Sequence, residues 1–226
     1  ETYIFSLFSQ KKIRWGIELH DVPSGIFGRL LWRYSLKKCH FIFGVTQGFF
    51  KYLDVDSRKK FGVLPDSVGD DWFRAGREHP AKFEQDGKVT VGYVGRFTTY
   101  GKSKGIDDLI CAFAVVKKRR NLKMNLLLVG ALDDEVVRYS KLADSCGISE
   151  HVSVLPYGPV DYAIKKACEC HILVMPHPKG EFFEEFVSPL KMFEYMALGR
   201  LIINARVPSV EEVLIRGEMS NSYPPG

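Results

Sequence analysis

The sequence lacks the features of membrane-spanning, disulfide-bonded and nucleic-acid-binding proteins. It has no apolar run near the roughly 20 residues that cross a bilayer. Its 32 Lys and Arg residues face 27 Asp and Glu residues, a balance too mild to indicate a nucleic-acid partner. Its five cysteines are an odd number without the spacing of a disulfide framework or a metal site, which indicates reduced thiols. We therefore expect a cytoplasmic protein that binds no nucleic acid.

The region around residue 95 also lacks both the Walker A pattern and Gly-x-Gly-x-x-Gly. It has instead an apolar run, residues 89–94, that ends at Gly95-Arg96 and leads through a loop with Lys102 and Lys104 into an apolar-periodic helix. Such a unit places positive charge at the carboxyl end of a strand, where open α/β sheets bind ligands. Arg96 offers a planar fork for a phosphate and Lys104 a point charge. We interpret Lys102 as a solvated loop residue.

A second candidate anion site lies at a helix that follows the strand and charged loop of residues 172–187. Ser188 is a good N-cap, Pro189 suits the first helical position, and Gly199 suits the residue after the last turn. The free N–H groups of such a helix start would bind a phosphate. Glu194 on the same helix would accept hydrogen bonds from hydroxyl groups. The alternative is an ordinary capped helix of an α/β domain.

From residue 88 onward, short apolar strands alternate with helices of 3.6-residue periodicity. The predicted strands cover residues 88–94, 124–129, 152–155, 171–175 and 201–204. The predicted helices cover residues 105–119, 134–146, 160–168, 189–198 and 209–215. This alternation predicts an α/β fold with a parallel sheet covered on both faces.

The part of the chain before residue 88 is shorter and ends in a charged stretch that resembles a linker. Its predicted strands cover residues 12–19, 40–46 and 61–65, and its predicted helices residues 24–38 and 47–53. We place one domain at residues 1–68, a linker at 69–87 and a second domain at 88–226. The helix predicted at residues 24–38 is basic, and we expect Ser24 to cap it. Its basic side is open to two interpretations: a solvated face over a core, or contact with a membrane surface.

Together these motifs resemble the C-terminal nucleotide-sugar domain of retaining glycosyltransferases of the GT-B fold, specifically glycosyltransferase family 4. The motifs stand in the family's order, namely Gly95-Arg96, Lys104-Gly105, Leu127–Gly130, Val174–Pro176, Ser188–Gly199, Pro208–Val213 and Pro224–Gly226, with Glu18–Asp21 and Val63–Val68 upstream. The resemblance implies that residues 88–226 form a Rossmann-like donor domain, truncated at its C-terminus. Residues 1–68 would then be the end of a Rossmann-like acceptor-side domain. We therefore expect a fragment that is weak or inactive as an enzyme on its own.

The resemblance also implies roles for individual residues in transfer of a hexosyl group from a nucleoside-diphosphate sugar, with retention of configuration. His20 would touch the sugar, while Arg96 and Lys104 would hold the diphosphate, and these three would be catalytic. The donor would be bound by Gly95, Arg96, Lys104, Ser188, Pro189, Leu190 and Glu194, with Glu194 on the nucleotide ribose. His20 is equally open to interpretation as a hydrogen-bonded residue at a strand end. Because cations would hold the phosphates, we expect no metal or other cofactor.

One departure from the family pattern concerns the donor sugar. The family's Glu-x7-Glu motif should place its first Glu eight residues before Glu194, where this chain has Phe186. Either Glu184 or Glu185 supplies the carboxylate after a loop shift, or other groups recognise the sugar. The missing carboxylate leaves open a non-catalytic nucleotide-sugar-binding module, and a nucleotide-sugar epimerase of the same fold is a further alternative. By analogy, the acceptor is a carbohydrate or a lipid-linked saccharide, as in polysaccharide biosynthesis at the cytoplasmic face of a membrane.

Overall fold

A computed structural model describes residues 14–20, 22–23, 25–83, 87–99, 101–120, 122–178, 190–214 and 220–223. The described residues up to Asp66 form one compact unit, and those from Ser67 onward form a second. Each unit has a parallel sheet of its own.

The first unit is a three-stranded sheet with helices between its strands. Its elements in chain order are β1 (Gly16–Leu19), α1 (Ile26–Lys38), β2 (Phe41–Gly44), α2 (Val55–Arg58) and β3 (Phe61–Val63), with a 3-10 helix at Gln47–Tyr52. The strands pair in the order β1-β2-β3, so that Ile42 lies opposite both Ile17 and Phe61. Leu19, Ile42 and Phe49 are among the buried side chains of its core.

The helices of the first unit differ locally from the prediction. Helix α1 has Gly25 as its N-cap, with φ 82° and ψ 157°. Ser24, where we predicted the cap, lies outside the described residues. The helix predicted at residues 47–53 is a 3-10 helix, and the chain then forms α2, which the sequence did not predict. The reason for α2 is local, because the Asp54 carboxylate accepts a hydrogen bond from the Ser57 N–H at 2.8 Å.

The second unit is built on a six-stranded parallel sheet. Its helices in chain order are α3 (Asp70–Glu78), α4 (Ile106–Arg120), α5 (Asp133–Ser145), α6 (Val160–Cys168), α7 (Leu190–Ala197) and α8 (Pro208–Glu211). Its strands are β4 (Val89–Val94), β5 (Thr98–Thr99), β6 (Lys102–Ser103), β7 (Met124–Ala131), β8 (Val152–Pro156), β9 (Ile172–Met175), β10 (Leu201–Ala205) and β11 (Ser220–Tyr223). Strands β5 and β6 form a small separate hairpin in the loop after β4.

The strand order of the large sheet locates the crevice where a ligand would bind. The order is β11-β10-β9-β4-β7-β8, so the chain starts in the middle, runs to one edge and returns to build the other half. The direction of winding reverses between β4 and β9, which are direct neighbours through Val91 and Ile172. In doubly wound sheets the carboxyl ends of the two strands at this point form the binding crevice.

Helices cover both faces of the large sheet through two buried clusters. One cluster packs α3, α6, α7 and α8 on the sheet and includes Tyr195 and Val129. The other packs α4 and α5 and includes Phe113, Tyr139 and Leu128. Leu128 and Val129 are consecutive, so successive residues of β7 serve opposite faces, as the two-residue period of a strand requires. The predicted α/β fold with a parallel sheet is confirmed.

The segment predicted as a linker, residues 69–87, contains helix α3, which belongs to the core of the second unit. Trp72 of this helix is only 4% exposed. The helix end is fixed by the buried Arg200, whose guanidinium donates to the carbonyl oxygens of His79 at 2.6 Å and Cys168 at 3.0 Å. Because this segment is short and rich in charged residues, its apolar side could not be recognised in the sequence.

Candidate functional site

Gly95, the residue after β4, has backbone contacts on two sides. Its φ is 141°, and its N–H donates to the Val129 carbonyl at 2.7 Å. A side chain on Gly130, whose φ is 118°, would collide with the Gly95 carbonyl. The end of β7 therefore approaches the Gly95 carbonyl closely only because residue 130 has no side chain.

Helix α7 is held against the same strand end by a buried tyrosine. The Tyr195 hydroxyl accepts a hydrogen bond from the Val94 N–H at 3.1 Å and donates to the Val94 carbonyl at 3.3 Å. This places the first turn of α7 beside Gly95, where an added side chain would collide with the Lys191 amino group. The Lys191 ammonium thus lies directly against the backbone at the end of β4.

The start of α4 lies against the end of the neighbouring strand, β9. Gly105 has φ 82°, and a side chain there would collide with the Pro176 carbonyl. The Gly105 N–H donates to the Ser103 hydroxyl at 3.1 Å, and the Lys104 N–H donates to the Phe97 carbonyl at 2.8 Å. These contacts bring Lys104 to the carboxyl ends of the strands on both sides of the crevice.

Lys104, Lys191 and His177 lie close together at the ends of β4 and β9, and the charges of the lysines lower pKa values within this group. Burial, together with the charge of Lys191, lowers the pKa of Lys104 to about 8. Burial also lowers the pKa of Lys191, against the opposing effect of Glu194. The pKa of His177, which follows β9 and is 8% exposed, is lowered to about 4 by burial and by the charges of Lys104 and Lys191. The protein therefore keeps His177 neutral beside two ammonium groups, an arrangement suited to an anion.

Glu194 is the carboxylate of this cluster. Its side chain is 14% exposed, and its Oε2 lies 4.0 Å from Lys191 Nζ. Burial raises the pKa of Glu194, the charge of Lys191 lowers it, and the carboxylate of Asp71 raises it further. Lys191 also lies over the ring of Tyr93, 5.7 Å from its centroid. A hydrogen-bond acceptor for hydroxyl groups thus stands next to the cations.

Arg96 lies on the side of the site nearer β8. Its side chain is exposed, and its guanidinium carbon lies 5.0 Å from the ring centroid of Tyr157, the residue after β8. Its carbonyl accepts a hydrogen bond from the Tyr93 hydroxyl at 2.8 Å, which fixes the backbone of the turn. The aromatic face holds the guanidinium plane at the carboxyl edge of the sheet.

The predicted site residues fall into three groups. Gly95, Arg96, Lys104, Leu190 and Glu194 are described in the second unit, at the strand ends or on α7. Ser188 and Pro189, together with Phe186, lie outside the described residues. His20 lies in the first unit, directly after β1, with its exposed Nε2 3.2 Å from Glu18 Oε1.

Sequence analysis missed Lys191, His177 and Asp71. Lys191 was not considered, although its position three residues before Glu194 places both on the same side of α7. His177 follows a buried strand with only Pro176 between them, and that position was the available signal. Asp71 lay in the segment predicted as a linker. Among the described residues, no group of three or more His, Cys, Asp or Glu side chains could hold a metal ion.

The family of the chain follows from a comparison of its sequence with models of protein families. The model described as "Glycosyl transferases group 1" matches residues 76–225, which are 150 of the 226 residues. The chain belongs to the glycosyl transferases group 1 family. The matched segment contains the whole cluster from Gly95 to Glu194. A comparison with curated proteins gives no match.

Solved structures with the same fold include glycosyltransferases from several bacteria. HepE from Anabaena, crystallised with UDP, is 16% identical with a TM-score of 0.68, over 100% of this chain and 62% of that one. Sucrose-phosphate synthase from Thermosynechococcus elongatus is 20% identical with a TM-score of 0.68, over 98% and 57%. A glycosyltransferase from Rickettsia africae is 14% identical with a TM-score of 0.67, over 93% and 56%.

These likenesses confirm the predicted GT-B fold. At such identities they show the fold and do not by themselves show the substrates of this chain. The chain spans about three fifths of the length of these proteins. None of the helices in the described ranges is long and apolar enough to cross a bilayer.

Proposed function

We propose that this group 1 chain transfers a sugar from a nucleoside-diphosphate sugar to an acceptor, with retention of configuration, as a member of glycosyltransferase family 4. The observation that carries the proposal is the cluster of cations at the carboxyl ends of β4 and β9, where a sheet of this strand order binds its ligand. The crystal structures of HepE with UDP and with UDP-glucose support a nucleotide-sugar donor.

The donor diphosphate binds between Arg96, Lys104 and the first turn of α7 in this proposal. Gly95 carries no side chain, so a phosphate oxygen approaches the backbone next to the Lys191 ammonium. Two partly buried ammonium groups cost free energy, because burial disfavours the charge of each and the charge of Lys191 further lowers the pKa of Lys104. A bound diphosphate offsets that cost, and the N–H groups around Ser188, Pro189 and Leu190 add hydrogen bonds at the helix start.

The same cations serve the chemical step. Negative charge grows on the β-phosphate as the bond from the sugar to the phosphate breaks. Fixed positive charge aimed at that oxygen stabilises the transition state more than the ground state. We assign this role to Arg96 and Lys104 and propose that no metal ion is needed. His20 contacts the transferred sugar in this proposal.

Glu194 binds the nucleotide ribose. A carboxylate accepts hydrogen bonds from both vicinal hydroxyls only when it is ionised. Lys191 at 4.0 Å favours the ionised form and opposes the effect of burial on the pKa of Glu194.

The acceptor in this proposal is a carbohydrate or lipid-linked saccharide used in polysaccharide biosynthesis. The reaction takes place in the cytoplasm, at the inner face of a membrane.

Calorimetry with UDP, GDP and ADP tests donor binding. We expect one of the three to bind, and we expect Arg96→Ala and Lys104→Ala each to weaken it by roughly ten- to a hundredfold, the value of a charge-assisted hydrogen bond. Lys118→Ala on the exposed side of α4 is the matched control and should leave the affinity unchanged. Equal affinity in all three variants would rule out the assigned site.

Proton NMR tests retention of configuration. The anomeric signal of the sugar released from the donor is recorded before mutarotation.

The second candidate is a module that binds the nucleotide sugar without transferring it. Phe186 favours this function, because it stands where the family pattern has the first Glu. Tight donor binding with no release of nucleoside diphosphate, over a panel of saccharide acceptors, would support the module and contradict transfer. If Phe186→Glu still releases nucleoside diphosphate in the presence of an acceptor, and differs from wild type only in which donor sugar it prefers, the result would support the enzyme.

A further inference from the structure

The pairing of β4 with β9 stops before either strand ends. Its last pair of residues is Gly92 and Leu173, and no further pair of the described residues joins the two strands. Strand β4 nevertheless continues along β7 to Val94, and β9 continues along β10 to Met175. The two strands are therefore separated at their carboxyl ends, where a sheet of this strand order has its binding crevice.

Side chains complete the hydrogen bonds of β4 at both ends of this short pairing. At the amino end, the His171 N–H donates to the Thr90 carbonyl at 2.9 Å, and the Thr90 N–H donates to His171 Nδ1 at 3.0 Å. At the carboxyl end, the Tyr195 hydroxyl takes both main-chain groups of Val94, at 3.1 Å and 3.3 Å. A helix residue thus stands where a longer β9 ladder would pair with Val94.

The burial of Tyr195 holds its hydroxyl in this place. The side chain is fully buried in the cluster that also contains Leu173 and Met175 of β9. A buried hydroxyl and a buried peptide group each need a hydrogen-bond partner, and here they serve one another. Removal of the hydroxyl would leave the Val94 N–H and carbonyl buried without a partner, unless the strands moved to pair them.

Tyr195 lies on the same helix as two groups of the candidate site. Lys191, one turn before Tyr195, has its ammonium against the backbone of Gly95, and Glu194 directly precedes Tyr195. Val94 in turn directly precedes Gly95. The hydrogen bonds between Tyr195 and Val94 therefore fix the start of α7 relative to the end of β4.

We propose that Tyr195 is a positioning residue of the candidate site, whose hydroxyl keeps the crevice between β4 and β9 open and fixes α7 against the end of β4. Lys191 and Glu194 are thereby held in place for the diphosphate and the ribose. This inference rests on the proposed function, which assigns the crevice to a nucleoside diphosphate. Tyr195 acts through the peptide group of Val94 and does not touch the donor. A shift of α7 by about 1 Å would misplace both groups that it carries.

Calorimetry with Tyr195→Phe tests the proposal, because phenylalanine keeps the buried ring and removes the hydroxyl alone. The dissociation constant of the nucleoside diphosphate that wild type binds should rise at least roughly tenfold. Tyr139→Phe is the matched control. Tyr139 is another fully buried tyrosine of the second unit, and its hydroxyl lies 3.4 Å from Asp107 Oδ2 on α4. This control should bind the nucleotide as wild type does.

A pH profile separates positioning from a merely structural role. Burial lowers the pKa of Lys104, and the charge of Lys191 lowers it further. If Tyr195→Phe lets α7 move away from β4, the effect of Lys191 weakens, and Lys104 keeps its proton to higher pH. The alkaline loss of nucleotide affinity should therefore move to higher pH in Tyr195→Phe but not in Tyr139→Phe. Three further titratable groups around the two lysines are the same in both variants, namely Glu194, His177 and Tyr93.

Hydrogen exchange of the wild-type chain gives the test if Tyr195→Phe fails to fold. Bound diphosphate holds α7 to the end of β4 and suppresses local opening there. It should slow exchange of the Val94 amide at least roughly tenfold more than exchange of the Thr90 amide, at the other end of the same pairing. Equal slowing of the two amides would overturn the proposal.

The outcomes distinguish this inference from the proposed function. Weaker binding and a shifted pH profile in Tyr195→Phe alone would support the positioning role. Unchanged affinity and profile in Tyr195→Phe, or an equal loss in Tyr139→Phe, would overturn that role and leave the nucleotide site in place. If wild type bound none of UDP, GDP and ADP, the proposed function would be overturned, and the positioning role with it.

Discussion

The two units use the same alternation of parallel strands and helices but differ in how much of the apolar surface of their helices is buried. In the second unit, helices on both faces bury apolar side chains in two clusters around Tyr195 and Phe113. In the first unit, α1 is 13 residues long and directs most of its apolar side chains to solvent. The helices of the second unit thus bury their apolar side chains, whereas α1 of the first unit exposes an apolar surface.

The turns of the two units differ in the same way. Gly105 in the second unit and Gly25 in the first both have φ 82°. A side chain on Gly105 would collide with the Pro176 carbonyl, but nothing lies within 4 Å of one on Gly25. Close packing is therefore a property of the candidate site and not of positive φ.

The largest effect should come from Gly105→Ala. Alanine at positive φ costs about 1–2 kcal/mol at either glycine, and the collision with Pro176 adds about 1–3 kcal/mol. We expect the free energy of unfolding to fall by about 2–5 kcal/mol in Gly105→Ala and by about 1–2 kcal/mol in Gly25→Ala. Urea titration gives the free energies, and hydrogen exchange assigns each loss to its unit. Equal losses in the two variants would remove the contrast between the units.

The fold of the second unit was predictable because its signals are local. An apolar run ending in Gly95 marked β4, and one ending in Pro176 marked β9. Gly199 was correctly predicted to follow the last turn of α7, with φ 62° and its N–H donating to the Met196 carbonyl at 2.9 Å. Helix α3 was not predictable, since its apolar side is short and only tertiary packing reveals it.

The candidate site was predictable in position but not in electrostatics. Gly95, Arg96 and Lys104 follow a strand, and a strand end is visible in the sequence. The low pKa of Lys191 results from its burial between α7 and β4, a tertiary contact that periodicity cannot supply. For α1, periodicity predicted an amphipathic helix but not which side would face the core.

Acid should destabilise the second unit through His177. Its folded pKa is about 4, below the ordinary value of 6.5, so between these values the unfolded chain binds a proton that the folded chain excludes. The free energy of unfolding therefore falls as pH drops from 6.5 to 4, by on the order of 3 kcal/mol. Urea titrations of wild type and His177→Gln at pH 7 and pH 4.5 measure this, and the variant should lose less. Parallel losses would show that His177 is not the group responsible.

A smaller effect is expected from alkaline pH on donor binding. Lys104 loses its proton as pH rises through about 8, and the diphosphate then loses a cation. Affinity should fall about tenfold between pH 7.5 and pH 9, the change in the protonated fraction. Calorimetry over this range should show a flatter profile in Lys104→Met. An unchanged profile in that variant would place the titrating group elsewhere.

The central claim is that the cations at the ends of β4 and β9 bind a nucleoside diphosphate. The most direct measurement is the dissociation constant of UDP, GDP or ADP, whichever binds, for wild type, for Arg96→Ala with Lys104→Ala, and for Lys118→Ala with Arg119→Ala. The first double variant should bind at least roughly a hundredfold more weakly than wild type, and the second should match wild type. Equal affinity in all three proteins would contradict the claim.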